Sequence, residues 1–229
     1  MTQPRTILFD IDNTLLNSGG AGGRAMSRAF AELFGIEDAF GKIEFSGRTD
    51  FFLLQSALED GEIDGGPQEH MRAFVSAYIR LLPESLVERN GHVMPGFPQL
   101  LNELSEAGAQ LGLATGNFSD GARLKLEFYK LAGHFAGGGF GEVSRERSEV
   151  VAAAIREVAG GAAPEAVMVI GDTPHDITAA LANGAIGVGV ATGNYSVEEL
   201  RKSGAHITFE DFSDHVSAAE QLLKLVPDV

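Results

Sequence analysis

Apolar residues along this chain gather into short runs that end in small or acidic residues, with helical patterns between them. Ile7-Leu8-Phe9 ends at Asp10-Ile11-Asp12-Asn13-Thr14. Leu111-Gly-Leu-Ala114 ends at Thr115-Gly116-Asn117, and Ala166-Val-Met-Val-Ile170 ends at Gly171-Asp172-Thr173-Pro174-His175-Asp176. Pro98 falls in the first turn of a helix running to about Ala107. From Gln110 onward the pattern alternates, with strands at 110–114, 138–140, 167–170 and 186–190 and helices at 119–129, 148–158 and 177–182. Such alternation predicts βα units, hence an α/β fold with a parallel sheet.

The stretch before Met94 reads differently. Ala25, Met26, Ala29, Phe30, Leu33 and Phe34 recur at helical spacing, and 51–58 and 71–82 predict two more helices. Nothing between 24 and 85 reads as a strand, so this segment is an all-helical insert. Glycine-rich 17–23 and residues 83–91 are its expected hinges.

In an open parallel sheet, ligands sit beyond the carboxyl ends of the strands, which is where the three polar run-ends would converge. Asp10 and Asp12 are close enough to repel, an arrangement that makes sense if a cation neutralises one side and a proton sits on the other. Arg145-Glu146-Arg147 adds positive charge just ahead of the 148–158 helix.

These motifs, in this order, resemble the haloacid dehalogenase superfamily: DxDxT after the first strand, Thr or Ser after the second, then Lys or Arg, then GD with further acids. The resemblance covers nearly the whole chain. It implies a Rossmann-like parallel-sheet core at 1–16 and 91–229 and a four-helix cap at 17–90. It also implies a phosphatase of the capped branch that includes phosphoglycolate phosphatase, with Mg²⁺ as cofactor. Asp10 would be the nucleophile that forms an aspartyl-phosphate, and Asp12 the general acid and base. An acid at position 12 favours a phosphate ester over a carbon–halogen substrate, because dehalogenases of the superfamily lack it. Thr115, with the amides of Gly116 and Asn117, would bind the phosphoryl group. Asp10, Asp172, Asp176 and the backbone carbonyl of Asp12 would hold the metal. Arg147 is expected to fill the basic position with Arg145 in reserve, since no lysine lies between Lys130 and Lys202. Arg48, in the polar loop Ser46-Gly47-Arg48-Thr49-Asp50, would meet the rest of the substrate, while Asp50 caps its helix. His175 and His92 would only orient loops.

Composition narrows the partners. Seventeen basic residues face 32 acidic ones, giving a formal net charge of −15, which opposes binding to nucleic acid. There is no cysteine, so disulfides and thiolate chemistry are excluded. No apolar run approaches the roughly 20 residues of a membrane span, and Met1–Arg5 lead directly into the first strand, so a cytoplasmic enzyme without signal peptide is expected. Glycine-rich 132–139 has neither the P-loop nor the dinucleotide spacing. The expected partner is a small phosphorylated metabolite, and the chain would be a monomer or homodimer. Two alternatives share the chemistry: a sugar phosphomutase, and a receiver-type signalling module that accepts a phosphoryl group.

Overall fold

The computed structural model describes residues 5–225 except 143, 161 and 162; the expected lead-in at 1–4 lies outside them. Six parallel strands form the central sheet in the order β5-β4-β1-β6-β7-β8. They are β1 (Thr6–Phe9), β4 (Gln110–Ala114), β5 (Gly138–Gly139), β6 (Val167–Gly171), β7 (Ile186–Val190) and β8 (Ile207–Phe209). β1 and β6, at the centre, are buried along their whole length, as their unbroken apolar runs require.

Alternate side chains divide between the faces of this sheet. Ile7, Phe9, Leu111, Leu113, Met168 and Ile170 pack with Leu100, Leu101 and Leu104 of α4 (Gln99–Glu106), Leu126 of α5 (Ser119–Phe128) and Leu222 of α9 (His215–Leu225). Leu8, Val167 and Val169 face the other way, against Val151 and Ala154 of α6 (Arg147–Val158) and Ala180 of α7 (Pro174–Ala182). A short helix, α8 (Val197–Lys202), leads into β8.

Between β1 and α4 the chain builds a helical unit with its own core. It comprises α1 (Ala21–Phe34), α2 (Asp50–Asp60) and α3 (Pro67–Glu88). Phe30, Phe40, Leu53, Leu54, Phe74, Tyr78 and Leu82 fill its centre, and Phe118, just ahead of α5, joins them from the sheet side. The resemblance implied four helices here; the described residues form three, with 35–49 in turns and coil. Gly35, at φ 74°, ends α1, and Gly47, at φ 69°, turns the chain back before α2.

The hinges are also shorter than expected. Gly22 and Gly23 already belong to α1, and α3 runs through Pro83 to Glu88. Two-residue strands β2 (Leu16–Asn17) and β3 (His92–Val93) pair antiparallel, Leu16 with Val93 and Asn17 with His92, joining the outgoing and returning chain. The irregular links are therefore confined to 18–20 and 89–91. Among the described residues, no helix is long and apolar enough to cross a membrane.

Candidate active site

Two strand ends of the central sheet, those of β1 and β6, deliver one carboxylate cluster, and the start of α6 brings its counter-charge. Asp10 follows β1, its amide donating to the Ile170 carbonyl at 2.9 Å, and so lies beside the end of β6. Asp172 follows β6, and Asp176 stands in the first turn of α7. One oxygen from each of Asp10, Asp172 and Asp176 lies within 4.8 Å of the other two. All three residues are buried. Arg147 Nη2 donates to Asp10 Oδ1 at 2.6 Å, Asp176 Oδ1 at 2.7 Å and the Ala114 carbonyl at 3.1 Å. Of the two arginines expected for the basic position, Arg147 is the one whose guanidinium reaches the cluster. Arg145 is exposed, its guanidinium over the Phe52 ring.

Asp176 serves two ends at once. Its Oδ2 accepts from the Thr173 amide and hydroxyl, closing a capping box at the start of α7, while Oδ1 faces Arg147 and the cluster. Burial pushes the Asp10 carboxyl up to about 6 against the pull of Arg147, with repulsion from Asp176 and Asp12 adding to it. Asp172 is driven further, to about 9, by burial and by its neighbours Asp176 and Asp10. Its Oδ2 is buried with no hydrogen-bond partner. Crowded carboxylates with an unpaired oxygen are the donor set of a hard divalent cation, so these residues fit such an ion.

Asp12 stands apart from the cluster. Its side chain is 38% exposed and rests on the Lys125 ammonium, with Nζ 2.8 Å from Oδ1 and 2.6 Å from Oδ2. Asn117 Nδ2 adds a bond to Asp12 Oδ2 at 2.7 Å, and Asn117 Oδ1 accepts from Lys125 at 2.6 Å. Burial pushes the Asp12 carboxyl up, but Lys125 and Asn117 outweigh it and hold the group below the ordinary carboxylate range. Thr115 is fully buried behind this network, its Oγ1 accepting from Asn117 Nδ2 at 2.9 Å and from the Asn117 amide at 3.3 Å. Gly116 and Asn117 themselves line the cleft.

Lys125 lies outside every motif that the sequence presents. A signal was present: Ala122, Lys125 and Leu126 share one stripe of α5, so a lysine falls on the face that turns inward.

The helical unit supplies the opposite wall of a cleft of about 400 Å³, lined by Asp10, Asp12, Asn17, Arg48, Tyr78 and Asp172 among others. Arg48 lies with its guanidinium 4.7 Å from the centre of the Phe52 ring, and its Nε is buried without a partner. Asp50 does not cap α2. Thr49 does, its Oγ1 accepting from the Phe52 amide at 3.1 Å. Asp50 instead points into the molecule, its Oδ2 accepting from the Phe118 amide at 2.8 Å and its own amide donating to the Gly116 carbonyl at 2.7 Å. Gly116 has to be glycine at this crossing, because a Cβ would lie 2.1 Å from the Arg48 carbonyl oxygen and 2.7 Å from Arg147 Nη1. His175 is half-buried and packs under Gly47, whereas His92 is exposed on β3.

A parallel sheet whose central strand ends carry an acidic cluster, capped by an inserted helical unit, defines a class of hydrolase. Residues 4–184 match the family model of haloacid dehalogenase-like hydrolases, and the chain belongs to that family. Among curated relatives it is similar to phosphoglycolate phosphatase of Rhodospirillum rubrum, 29% identical over 92% of this chain and 88% of that one. It is also similar to phosphoglycolate phosphatase of Aquifex aeolicus, 27% identical over 76% of this chain and 79% of that one. Among solved structures, a predicted phosphatase from Clostridium acetobutylicum aligns over 97% of this chain and all of its own, with a TM-score of 0.70 at 22% identity. A Bacteroides vulgatus protein assigned as a β-phosphoglucomutase aligns over 98% of this chain and 91% of its own, with a TM-score of 0.68 at 20% identity. Likeness at these identities is one of fold.

Proposed function

We propose that the chain, a phosphatase of the haloacid dehalogenase-like family, is a cytoplasmic Mg²⁺-dependent enzyme that hydrolyses a small phosphomonoester through an aspartyl-phosphate. The observation that carries this reading is the separation of Asp10 from Asp12. They are one residue apart, yet Asp10 lies buried against Arg147 and two further acids, while Asp12 is half-exposed on Lys125. Carboxylates with different surroundings can take different tasks.

Asp10 is the nucleophile: its oxygen bonds to phosphorus as the bond to the leaving oxygen breaks. Asp12, which Lys125 holds ionised in the free site, takes up a proton from solvent as the phosphate dianion enters, gives it to the leaving oxygen, then takes one from the water whose oxygen displaces Asp10 and releases phosphate. Arg147 offsets charge at Asp10 throughout, and Thr115 with the Gly116 and Asn117 amides holds phosphoryl oxygens. Mg²⁺, held by Asp10, Asp172, Asp176 and the Asp12 carbonyl, would neutralise the phosphoryl group when bound. The helical unit acts as the cap that shields the reaction from water, and Arg48, which lines the cleft, binds a second anionic group on the substrate.

The test is phosphate release from a panel of small phosphomonoesters, phosphoglycolate included, with Mg²⁺, with a chelator, and for Asp10→Asn. Release requiring both metal and Asp10 is expected, with Arg48→Ala raising KM most for esters that carry a second anion. Conversion of a sugar phosphate only in the presence of a bisphosphate activator, without net phosphate release, would instead establish a mutase.

A further inference from the structure

Lys125 is a buried cation that the aspartyl-phosphate chemistry does not use. It is 3% exposed, and its ammonium lies 2.6 and 2.8 Å from the two oxygens of Asp12 and 2.6 Å from Asn117 Oδ1. An ammonium has three protons, and here three acceptors account for them. None is left for a ligand. The Asn117 amide is committed in the same way, one proton toward Asp12 Oδ2 and the other toward Thr115 Oγ1. Both side chains line the cleft, yet their bonding capacity is taken up by Asp12, Thr115 and each other.

The surrounding helices make room for this arrangement. Gly22 is the second residue of α1, in the turn that faces Lys125. A Cβ at Gly22 would stand 3.3 Å from Lys125 Nζ, tight enough to displace the ammonium or the helix. α1 therefore closes directly over the lysine, which keeps water from competing for its bonds.

We infer that Lys125, with Asn117, is a positioning residue that holds the Asp12 carboxylate in one orientation toward the leaving-group oxygen and does not contact the substrate. This rests on the role proposed for Asp12. An unrestrained carboxylate would still be present without Lys125, but rarely aimed at the leaving oxygen. The loss should therefore appear in the step where Asp12 moves a proton.

The experiment compares Lys125→Met, Asp12→Asn and the double variant on phosphoglycolate, an alkyl ester whose leaving oxygen needs a proton, and on p-nitrophenyl phosphate, whose leaving group departs as the anion. Lys125→Met should lower kcat/KM, which reports phosphoryl transfer to Asp10, about 100-fold on the alkyl ester and about 10-fold or less on the aryl ester, while kcat falls on both through the hydrolysis step they share. The double variant should be no slower than Asp12→Asn alone. Losses that multiply, or a rise in KM at unchanged kcat, would overturn the inference in favour of direct substrate binding. Should Lys125→Met not fold, Asn117→Ala has to give the same alkyl-selective loss. A readout independent of turnover is the side-chain NMR signal of ¹⁵N-lysine-labelled protein. A protected Lys125 ammonium is expected in the wild type and its loss in Asp12→Asn, while an unprotected one in the wild type would refute the contact. If the wild type released phosphate from neither ester, the proposed reaction would fall while the NMR measurement still decided the contact.

Discussion

In the proposed mechanism the charge at Asp10 decides whether it can attack phosphorus, and Arg147 is the neighbouring cation that acts on that charge. Burial and two acidic neighbours favour the protonated, unreactive form of Asp10, and the guanidinium 2.6 Å away opposes them. Arg147→Ala is therefore expected to lower kcat by about 100-fold or more, on the scale of losing one preorganised electrostatic contact. It should also destabilise the fold by about 3 kcal/mol, because Asp10 and Asp176 lose a shared buried partner. Arg145→Ala removes an exposed cation–π contact with Phe52, worth roughly 0.5–1 kcal/mol, and should leave kcat within about twofold. Steady-state kinetics and thermal melts of both variants check the pair, and equal small losses would refute the assignment. Both arginines could be picked out from the sequence because the motif order brackets them, with Arg147 favoured, and the packing puts Arg147 alone of the two against Asp10. Lys125 was harder to see, since its partner Asp12 is far away in the chain and a lysine in a helix ordinarily marks a solvent face.

At the scale of elements, the link between the helical unit and the sheet is concentrated at the start of α2. Thr49 takes over the capping, which frees Asp50 to hold the Phe118 amide on the sheet side. A Thr-Asp pair ahead of a helix reads in sequence as a cap, and the inward turn of the second residue depends on a loop far along the chain. Burial pushes the Asp50 carboxyl up to about 7, with Lys125 drawing it down and Asp12 and Glu142 repelling it. Below its ordinary value of 3.8 the group is protonated in both the folded and unfolded chain. As pH rises toward 7 the unfolded chain ionises first, so this carboxyl's contribution to stability falls; above about 7 the folded site carries the charge and the loss is complete. Asp50→Asn keeps an acceptor for the Phe118 amide and cannot ionise. The variant should gain on the wild type across this window, by on the order of 2 kcal/mol, and then run parallel to it. Melting curves for both proteins from pH 4 to 8 provide the check, and a constant offset would contradict the account.

For the molecule as a whole, the sheet could be read from sequence because its central strands are buried on both faces, leaving unbroken apolar runs at β1, β4 and β6. Beyond Val190, α9, eleven residues long, carries an apolar stripe at Ala218, Ala219 and Leu222 that does show in the sequence, whereas β8 has three half-buried residues at the sheet edge and α8 spans only six, both too short for a period to emerge. The pairing of β2 with β3 was hidden for the same reason, although it fixes where the helical unit leaves and rejoins the core. What the fold then assembles at the strand ends is a cluster that opposes its own formation, since Asp172 is pushed to about 9 beside Asp10 and Asp176. Such a fold should be incomplete in energy without a cation, and binding an ion only in the folded state raises stability by mass action. At a Mg²⁺ concentration about 100-fold above its dissociation constant the gain is about 2.7 kcal/mol. Asp172→Asn removes both the crowding and a proposed metal ligand, so in chelator it should melt no lower than the wild type, yet gain little from Mg²⁺. Calorimetric melts of the two proteins with and without Mg²⁺ separate these effects. A wild type indifferent to the metal, or a variant that gains as much, would mean that the crowded carboxylates are held by Arg147 alone.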